Sequence, residues 1–250
     1  MQAQAMEPHG LALLDFVKGE TDARCLIHRD DGIASELLAS VFFREPSGFS
    51  ALERAALDLC RGRVLDVGAG AGCHSLALQE RGLPVCAIDV SPHAVEVMRK
   101  RGVHDARCVR IEEFSAERFD TILMMMHGIG LVETLCGLER FLHHVRRLLN
   151  PHGQVLFDSL DCRYTEDPVH LAYLEANRQA GRYFGEMRMQ FEYKGVKAPW
   201  CGWLHVDPET LDTCAEKTGW RCQVVRQEDD GDYLARLTRQ GTSDPEVSVI

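Results

Sequence analysis

Three glycines spaced two residues apart, Gly68, Gly70 and Gly72, are the clearest sign of ligand binding in this chain. They follow a short apolar run at residues 64–67 that predicts a buried strand, and a helical pattern comes after them. A strand, a glycine turn and a helix together bring bare backbone amides against a ligand. The pattern D-x-G-x-G-x-G, which begins at Asp66, differs from the G-x-G-x-x-G of dinucleotide-binding folds.

A second carboxylate, Asp89, lies near the end of the apolar run over residues 85–90. It comes 23 residues after Asp66, close to the roughly 20-residue separation expected for a carboxylate that binds a ribose. Such a side chain accepts hydrogen bonds from the ribose hydroxyls of an adenosine and repels a 2′-phosphate. Together with the glycine turn, Asp89 predicts a nucleoside ligand.

Candidate catalytic residues follow the fourth and fifth predicted strands. His127 comes directly after residues 119–126 and before Gly128 and Gly130, which allow the backbone to approach a ligand closely. An imidazole titrates near neutral pH, so His127 is the first candidate for a general base, although a structural histidine at a strand end fits equally. Asp158 ends the fifth strand and could orient a substrate, or it could be a capping or solvated carboxylate.

Aromatic and polar residues far along the chain could cover a substrate pocket or, equally, form a satellite core or a dimer surface. The substrate-binding candidates are Tyr183, Trp200, Trp203 and His205.

Length and composition narrow the classes of protein to which the chain can belong. Its 250 residues, 45% hydrophobic and 26% charged, indicate one large domain or a domain with an elaboration. A net charge of −10 argues against a nucleic-acid substrate. No secretory signal, no apolar stretch of bilayer length and no C-x-x-C pair is present, so we expect a cytoplasmic protein with no membrane partner and no metal site.

Alternating strand and helix patterns over residues 63–160 predict a mostly parallel α/β sheet. A helical stretch and a hairpin around Lys194-Gly195 then predict an inserted cap, and two strands joined by residues 229–232 predict antiparallel pairing. The expected organisation is a helical or lid segment at 1–49, the main domain at 50–240 with its cap at about 162–206, and a disordered tail at 241–250.

The glycine turn and Asp89 resemble the cofactor site of class I S-adenosylmethionine-dependent methyltransferases. The runs GIGL (128–131), DVSPHAVEVMRKRG (89–102) and YLARLT (233–238) resemble a bacterial, largely uncharacterised group of small methyltransferases. The resemblance covers residues 50–240. It implies a Rossmann-like, doubly wound α/β fold with seven strands, mostly parallel with the last strand antiparallel, plus an inserted β-hairpin and helix cap.

The resemblance also implies S-adenosylmethionine as the cofactor. The glycine turn would contact its methionine part, Asp89 its ribose, and Val90 and Ile111 its adenine. Arg110 stands where the family often has an acidic residue for the adenine amino group, so either Glu112 serves or a backbone amide and apolar packing hold the ring. The implied cofactor-binding residues are Asp66, Gly68, Ala69, Gly70, Gly72, Asp89, Val90, Ile111, Glu112 and Met125.

The function predicted from these patterns is methyl transfer from S-adenosylmethionine to an oxygen or nitrogen atom of a small molecule, with a homodimer left open. One alternative is a cofactor-binding sensor or scaffold without turnover. The other is an NAD-dependent oxidoreductase, against which the glycine spacing and the final hairpin count.

Overall fold

The computed structural model describes residues 1–115 and 117–241. Its strands are β1 (Arg24–Arg29), β2 (Ala34–Leu38), β3 (Val64–Val67), β4 (Val85–Asp89), β5 (Ala106–Cys108), β6 (Phe119–Met124), β7 (Leu149–Leu160), β8 (Glu186–Tyr193), β9 (Val196–Lys197), β10 (Cys201–Leu204), β11 (Trp220–Gln227) and β12 (Asp232–Arg239). Its α-helices are α1 (Glu7–Val17), α2 (Ala51–Leu59), α3 (Cys73–Glu80), α4 (Pro92–Arg101), α5 (Leu135–Val145), α6 (Pro168–Gln179) and α7 (Pro208–Lys217).

Seven strands form the large sheet, in the order β11-β12-β7-β6-β3-β4-β5. Strands β3 to β7 pair in parallel, and β12 runs antiparallel to both β7 and β11. The buried apolar runs explain the parallel strands, because helices cover both faces of such a sheet. The predicted seven-stranded, mostly parallel fold with an antiparallel last strand is confirmed.

The helices that connect the strands begin at the caps that the sequence predicts. The Ser50 side chain accepts from the Glu53 backbone and the Glu53 side chain from the Ser50 backbone, which is a capping box at the start of α2. The Ser91 side chain caps α4 by accepting from the Ala94 backbone. One core lies between the large sheet and helices α5 and α7, and a second core lies around α2 and α3.

A second, small sheet is built from two distant parts of the chain, in the order β10-β8-β1-β2 with β9 paired to β8. The inserted hairpin turns at Lys194-Gly195, both at positive φ, as the sequence predicts. Residues 1–49 contain a helix but also β1 and β2, which the helical prediction for this segment did not include. Strand β1 pairs with β8, a partner far along the chain that no local pattern could indicate.

Among the residues that the structure describes, no helix is both long enough and apolar enough to cross a membrane. The predicted disordered tail lies, from residue 242 onward, outside the described residues.

Candidate functional site

The carboxyl ends of the parallel strands meet at one edge of the large sheet, where a cavity of about 460 Å³ lies. Its volume is within the roughly 300–1,000 Å³ typical of small-molecule sites. The lining residues come from the ends of β3, β4, β6 and β7, from the N-terminal segment and from the small sheet. Open α/β sheets bind their ligands at this edge.

The glycine turn borders the cavity through Gly68 and Ala69. All three glycines of the motif have positive φ, a conformation that L side chains rarely adopt. Gly70 and Gly72 do not line the cavity. The Gly70 amide donates a hydrogen bond to the Asp89 carboxylate at 3.0 Å, and Gly72 is the N-cap of α3. The two glycines therefore determine the conformation of the turn without lining the cavity.

Asp89 lines the cavity at the end of β4, with 9% of its surface exposed. One carboxylate oxygen accepts from the Gly70 amide and the other accepts from the Ser91 amide at 2.8 Å. Burial raises the pKa of Asp89 to about 6, although these two hydrogen bonds work against the rise. The carboxylate is thus held rigidly by the turn that precedes the cavity and by the start of α4.

The other residues implied as cofactor-binding also line the cavity. Val90 follows β4, Ile111 and Glu112 follow β5, and Met125 follows β6. Asp66 also lines it, 2% exposed, and its carboxylate accepts from the Ser75 hydroxyl at 2.6 Å. Burial raises the pKa of Asp66.

His127 is held in the cavity wall by two carboxylates. Its backbone amide donates to Asp158 Oδ1 at 3.0 Å, and its ring Nε2 lies 2.9 Å from Asp232 Oδ1. Met126 and His127 both have positive φ, which is uncommon for residues other than glycine. Burial opposes a charge on the imidazole, but the hydrogen bond to Asp232 and the negative charge of Asp158 outweigh it and raise the pKa of His127. Burial also raises the pKa of Asp158 to about 6.

Two of the four substrate-binding candidates border the cavity, Trp203 and His205. The His205 ring lies edge-on to that of His127, with ring centroids 5.3 Å apart, and burial lowers the pKa of His205 to about 3. Tyr183 lies outside the lining, where its hydroxyl donates to Asp207 at 2.6 Å. Trp200 also lies outside it and is 42% exposed.

A family model described as a methyltransferase domain matches residues 37–225 of the chain. Over 96% of its length the chain is also similar to an S-adenosylmethionine-dependent methyltransferase from Bacteroides fragilis, whose crystal structure contains S-adenosyl-L-homocysteine. The identity is 38%, the TM-score is 0.84, and 97% of that chain is covered. The chain belongs to the S-adenosylmethionine-dependent methyltransferase family.

Two curated methyltransferases match a shorter region. A ubiquinone biosynthesis O-methyltransferase of Xanthomonas oryzae pv. oryzae is 33% identical over 115 residues, which are 43% of this chain and 46% of that enzyme. A demethylmenaquinone methyltransferase of Clavibacter sepedonicus is 31% identical over 127 residues, 48% of this chain and 49% of that enzyme. The chain thus spans about half the length of the curated relatives it matches.

The cavity is also lined by residues that the sequence analysis did not single out for it. Glu53 and His74 line the cavity and form a buried ion pair at 2.7 Å, to which Arg44 adds a second cation. Burial opposes both charges, but the pairing lowers the pKa of Glu53 to about 2, and the contacts with Cys73 and Glu53 raise the pKa of His74 to about 10. Only the capping role of Glu53 was readable from the sequence, while the position of His74 just after the glycine turn was a usable signal.

The N-terminal segment and the start of β12 supply further lining residues that the sequence analysis did not single out. Met6, His9 and Phe42 line the cavity from the N-terminal side, and Asp232 lines it beside His127. The run Asp229-Asp230-Gly231-Asp232 predicts only a turn, and nothing local in it indicates a histidine partner more than 100 residues away.

Proposed function

We propose that this methyltransferase transfers a methyl group from S-adenosylmethionine to an oxygen or nitrogen atom of a small molecule. One observation carries the proposal: a single cavity is bordered by Asp89 and the glycine turn as well as by His127 and Asp158. Strands β4 and β7 are separated by β3 and β6, so their carboxylates lie roughly 14 Å apart along the edge of the sheet. That length suits a nucleoside donor with an acceptor beyond it.

The residues at the donor end fit S-adenosylmethionine. Asp89 would accept from the ribose hydroxyls, Val90 and Ile111 would pack against the adenine, and the Gly68–Ala69 backbone would approach the methionine part. A Cβ at Gly68 would come within 2.6 Å of the Leu131 side chain, and the φ of +70° at this position is one that L side chains rarely adopt, so glycine favours an open wall here. Carboxylates outnumber cations among the lining residues, which suits a ligand with a positively charged sulfur and an ammonium group. We also propose Asp66, Glu112 and Met125 as cofactor-binding residues, with Gly70 and Gly72 acting on the cofactor through the conformation of the turn.

When bound, S-adenosylmethionine supplies a methyl carbon on a cationic sulfur that is already an activated leaving group. The protein therefore has to align donor and acceptor and to exclude water. We assign the base to His127, whose ring is held by Asp232, and an orienting role to Asp158. An acceptor that keeps its proton until attack needs such a base. The curated relatives include an O-methyltransferase by name, which supports an oxygen acceptor.

Isothermal titration tests the donor assignment. S-adenosylmethionine and S-adenosylhomocysteine should bind in the micromolar range or tighter, whereas NAD should not bind. Formation of S-adenosylhomocysteine with a panel of small hydroxyl, amine, carboxylate and thiol compounds then tests turnover. Binding without turnover of any class would favour the sensor, and binding of NAD alone would favour the oxidoreductase.

The affinity for the donor should depend on pH because Asp89 has a pKa of about 6. Ribose hydroxyls donate to the ionised carboxylate, so binding favours the charged form and lowers its pKa. Affinity should therefore be constant above about pH 7 and weaken as the pH falls through 6, by up to about tenfold per unit. Titrations from pH 5 to pH 8 on wild type and Asp89→Asn measure this. The variant should lose most of the dependence, and any remainder would be assigned to Asp158, whose pKa is also about 6.

Gly130 should control the position of Trp203 and hence binding of the acceptor. A Cβ at Gly130 would meet Trp203 Nε1 at 2.1 Å and Cε2 at 2.2 Å, so the indole must move. Gly130→Ala should raise the KM for the acceptor by roughly tenfold and leave the Kd for the donor unchanged. Gly48→Ala is the matched control, because its Cβ would meet only Arg44 at 3.6 Å. Equal KM values in the two variants would mean that Trp203 does not contact the acceptor.

Cytoplasmic location and the absence of nucleic-acid binding are further parts of the proposal, while a homodimer is left open. The net charge of −10 supports the absence of nucleic-acid binding, because a phosphate backbone would be repelled. The roles of Tyr183 and Trp200 in acceptor binding stay predictions. The Tyr183 hydroxyl bonds with Asp207, so Tyr183 would act through that residue.

A further inference from the structure

We propose that the acceptor is a weakly acidic ring hydroxyl, of the phenol or enol class, bound as its oxyanion at His127, with Asp232 as the positioning residue for that histidine. The inference rests on the proposed function and narrows its acceptor. It concerns the part of the cavity lined by His127 and Gly128, by β1, β7, β8, β10 and β12 and by the N-terminal segment, whereas the donor is assigned to the ends of β3 and β4.

The first observation is the pairing of His127 with Asp232. Asp232 Oδ1 lies 2.9 Å from Nε2, which fixes the proton of a neutral imidazole on that nitrogen. No described residue forms a hydrogen bond with Nδ1, so its lone pair is available to a ligand. The backbone is fixed as well, because the His127 amide donates to Asp158. A histidine held at both its ring and its backbone is oriented before the acceptor arrives.

The second observation is the placement of Trp203 and His205 over the same loop. Side chains two residues apart on an extended chain point to one face. Trp203 packs on Gly130 and His205 lies against His127, so both cover residues 127–130. His205 is 9% exposed, and its low pKa of about 3 keeps it neutral beside the more basic His127. A ring placed on this loop therefore meets an indole and two imidazoles.

The rest of this wall is apolar. Phe191 lies beside Trp203, with ring centroids 6.2 Å apart and planes inclined at 58°, and Met6, Ile27 and Met189 join them in the lining. Aromatic and thioether side chains make favourable contacts with a flat apolar ring beyond the burial of area. The wall thus selects the ring, and the histidine selects the hydroxyl.

The proton transfer balances within the site. The acceptor O–H bond breaks and its proton forms an N–H bond at Nδ1 of His127, which leaves an oxyanion beside an imidazolium. The lone pair on that oxygen forms the new O–C bond, while the pair of the breaking C–S bond stays on sulfur. The charged groups that face His127 are Asp158 on β7 and Asp230 and Asp232 at the start of β12, and His205 beside it is neutral. The carboxylates raise the pKa of His127, which makes it hold the transferred proton more firmly.

Two other acceptor classes fit less well. An alkylammonium ion would need an anionic partner here, and the carboxylates that face this loop, Asp158 and Asp232, already bond with His127. A carboxylate needs partners for two oxygens, and none of the described residues that line the cavity is lysine or arginine. A ring hydroxyl needs a single base and an apolar wall.

The test uses para-nitrophenol, whose phenolate absorbs visible light, bound to the full-length protein together with S-adenosylhomocysteine so that no turnover occurs. At a pH below its own pKa the free probe is mainly protonated. Bound to wild type it should become mainly phenolate, a rise of roughly tenfold or more in the ionised ratio. Asp232→Asn should abolish that rise. Asp229→Asn removes a charge from the same turn without a contact to His127 and should behave as wild type.

The pH profile gives an independent readout for Asp232. With a phenol substrate, kcat should rise with pH through the pKa of His127. Asp232→Asn should move this limb to lower pH, because the hydrogen bond and charge that raise the pKa are gone, and should lower the plateau by roughly tenfold. If that variant does not fold, His127→Asn replaces it in the phenolate assay and should likewise abolish the rise in the ionised ratio.

The outcomes separate the two proposals. If S-adenosylhomocysteine binds and amines or carboxylates, but not ring hydroxyls, are methylated, the hydroxyl assignment is overturned and the methyltransferase function stands. A bound probe that stays protonated overturns the hydroxyl assignment in the same way. If neither S-adenosylmethionine nor its product binds, both proposals fail together.

Discussion

Replacing His127 by asparagine is expected to lower kcat by roughly 10²- to 10⁴-fold, the usual contribution of a general base. Asparagine cannot take up a proton, so only the chemical step should suffer. It is also the matched replacement for the backbone, because His127 has a φ of +57° and asparagine tolerates that region better than most residues. The rate of S-adenosylhomocysteine formation at saturating donor and acceptor measures the effect.

The donor affinity of His127→Asn serves as its control. The Kd for S-adenosylmethionine should stay close to that of wild type, because the donor is assigned to Asp89 and the glycine turn. A kcat that does not change would return His127 to a structural role at the end of β6. A large loss of donor affinity would mean that the loop as a whole had moved.

Replacing Asp89 by alanine should weaken the binding of S-adenosylmethionine by roughly 10- to 150-fold, or about 1.5–3 kcal/mol, the range for hydrogen bonds to a charged group. The carboxylate is placed for this by the amides of Gly70 and Ser91. Calorimetric titration of wild type and variant at about pH 7.5 measures the change, since the carboxylate is ionised there.

Two variants accompany Asp89→Ala. Asp89→Asn keeps an acceptor for one backbone amide and should bind the donor with intermediate affinity. Glu113→Gln removes a charge from a neighbouring side chain that is 66% exposed and does not line the cavity, and should leave the affinity unchanged. A wild-type Kd in Asp89→Ala, with the protein folded by circular dichroism, would refute the ribose assignment.

The arrangement of the residues proposed to bind the donor could be predicted from sequence because they are close in the chain. The residues from Asp66 to Asp89 form one strand, turn, helix and strand, and backbone conformation alone places the glycine turn beside the carboxylate. The pattern also indicated that the last strand is reversed, since a four-residue turn leaves β11 and β12 no other pairing. The local geometry here agrees with the role that the motif predicts.

Local patterns were less informative where two roles share one residue. Glu53 satisfies the capping box of α2 and also pairs with His74 in the cavity wall, but only the first role has a sequence signature. Tyr183 and Trp200 show the reverse. As aromatic residues of the same segment they resemble Trp203, but the Tyr183 hydroxyl donates to Asp207 and Trp200 is exposed to solvent. The alternation of residues along a strand predicts which side chains share a face of the sheet. What that face packs against depends on the neighbouring elements, which can be distant in sequence.

The fold class, the family resemblance and the glycine motif can be recognised in the sequence, because each depends on residues near one another along the chain. The surroundings proposed for the acceptor depend instead on long-range packing. Pairing of β1 with β8 brings the N-terminal segment over the cavity, and the reversed strand β12 brings Asp232 to His127. Those contacts join residues more than 100 positions apart, and they form because burial of the whole chain, rather than any local preference, holds the strands together.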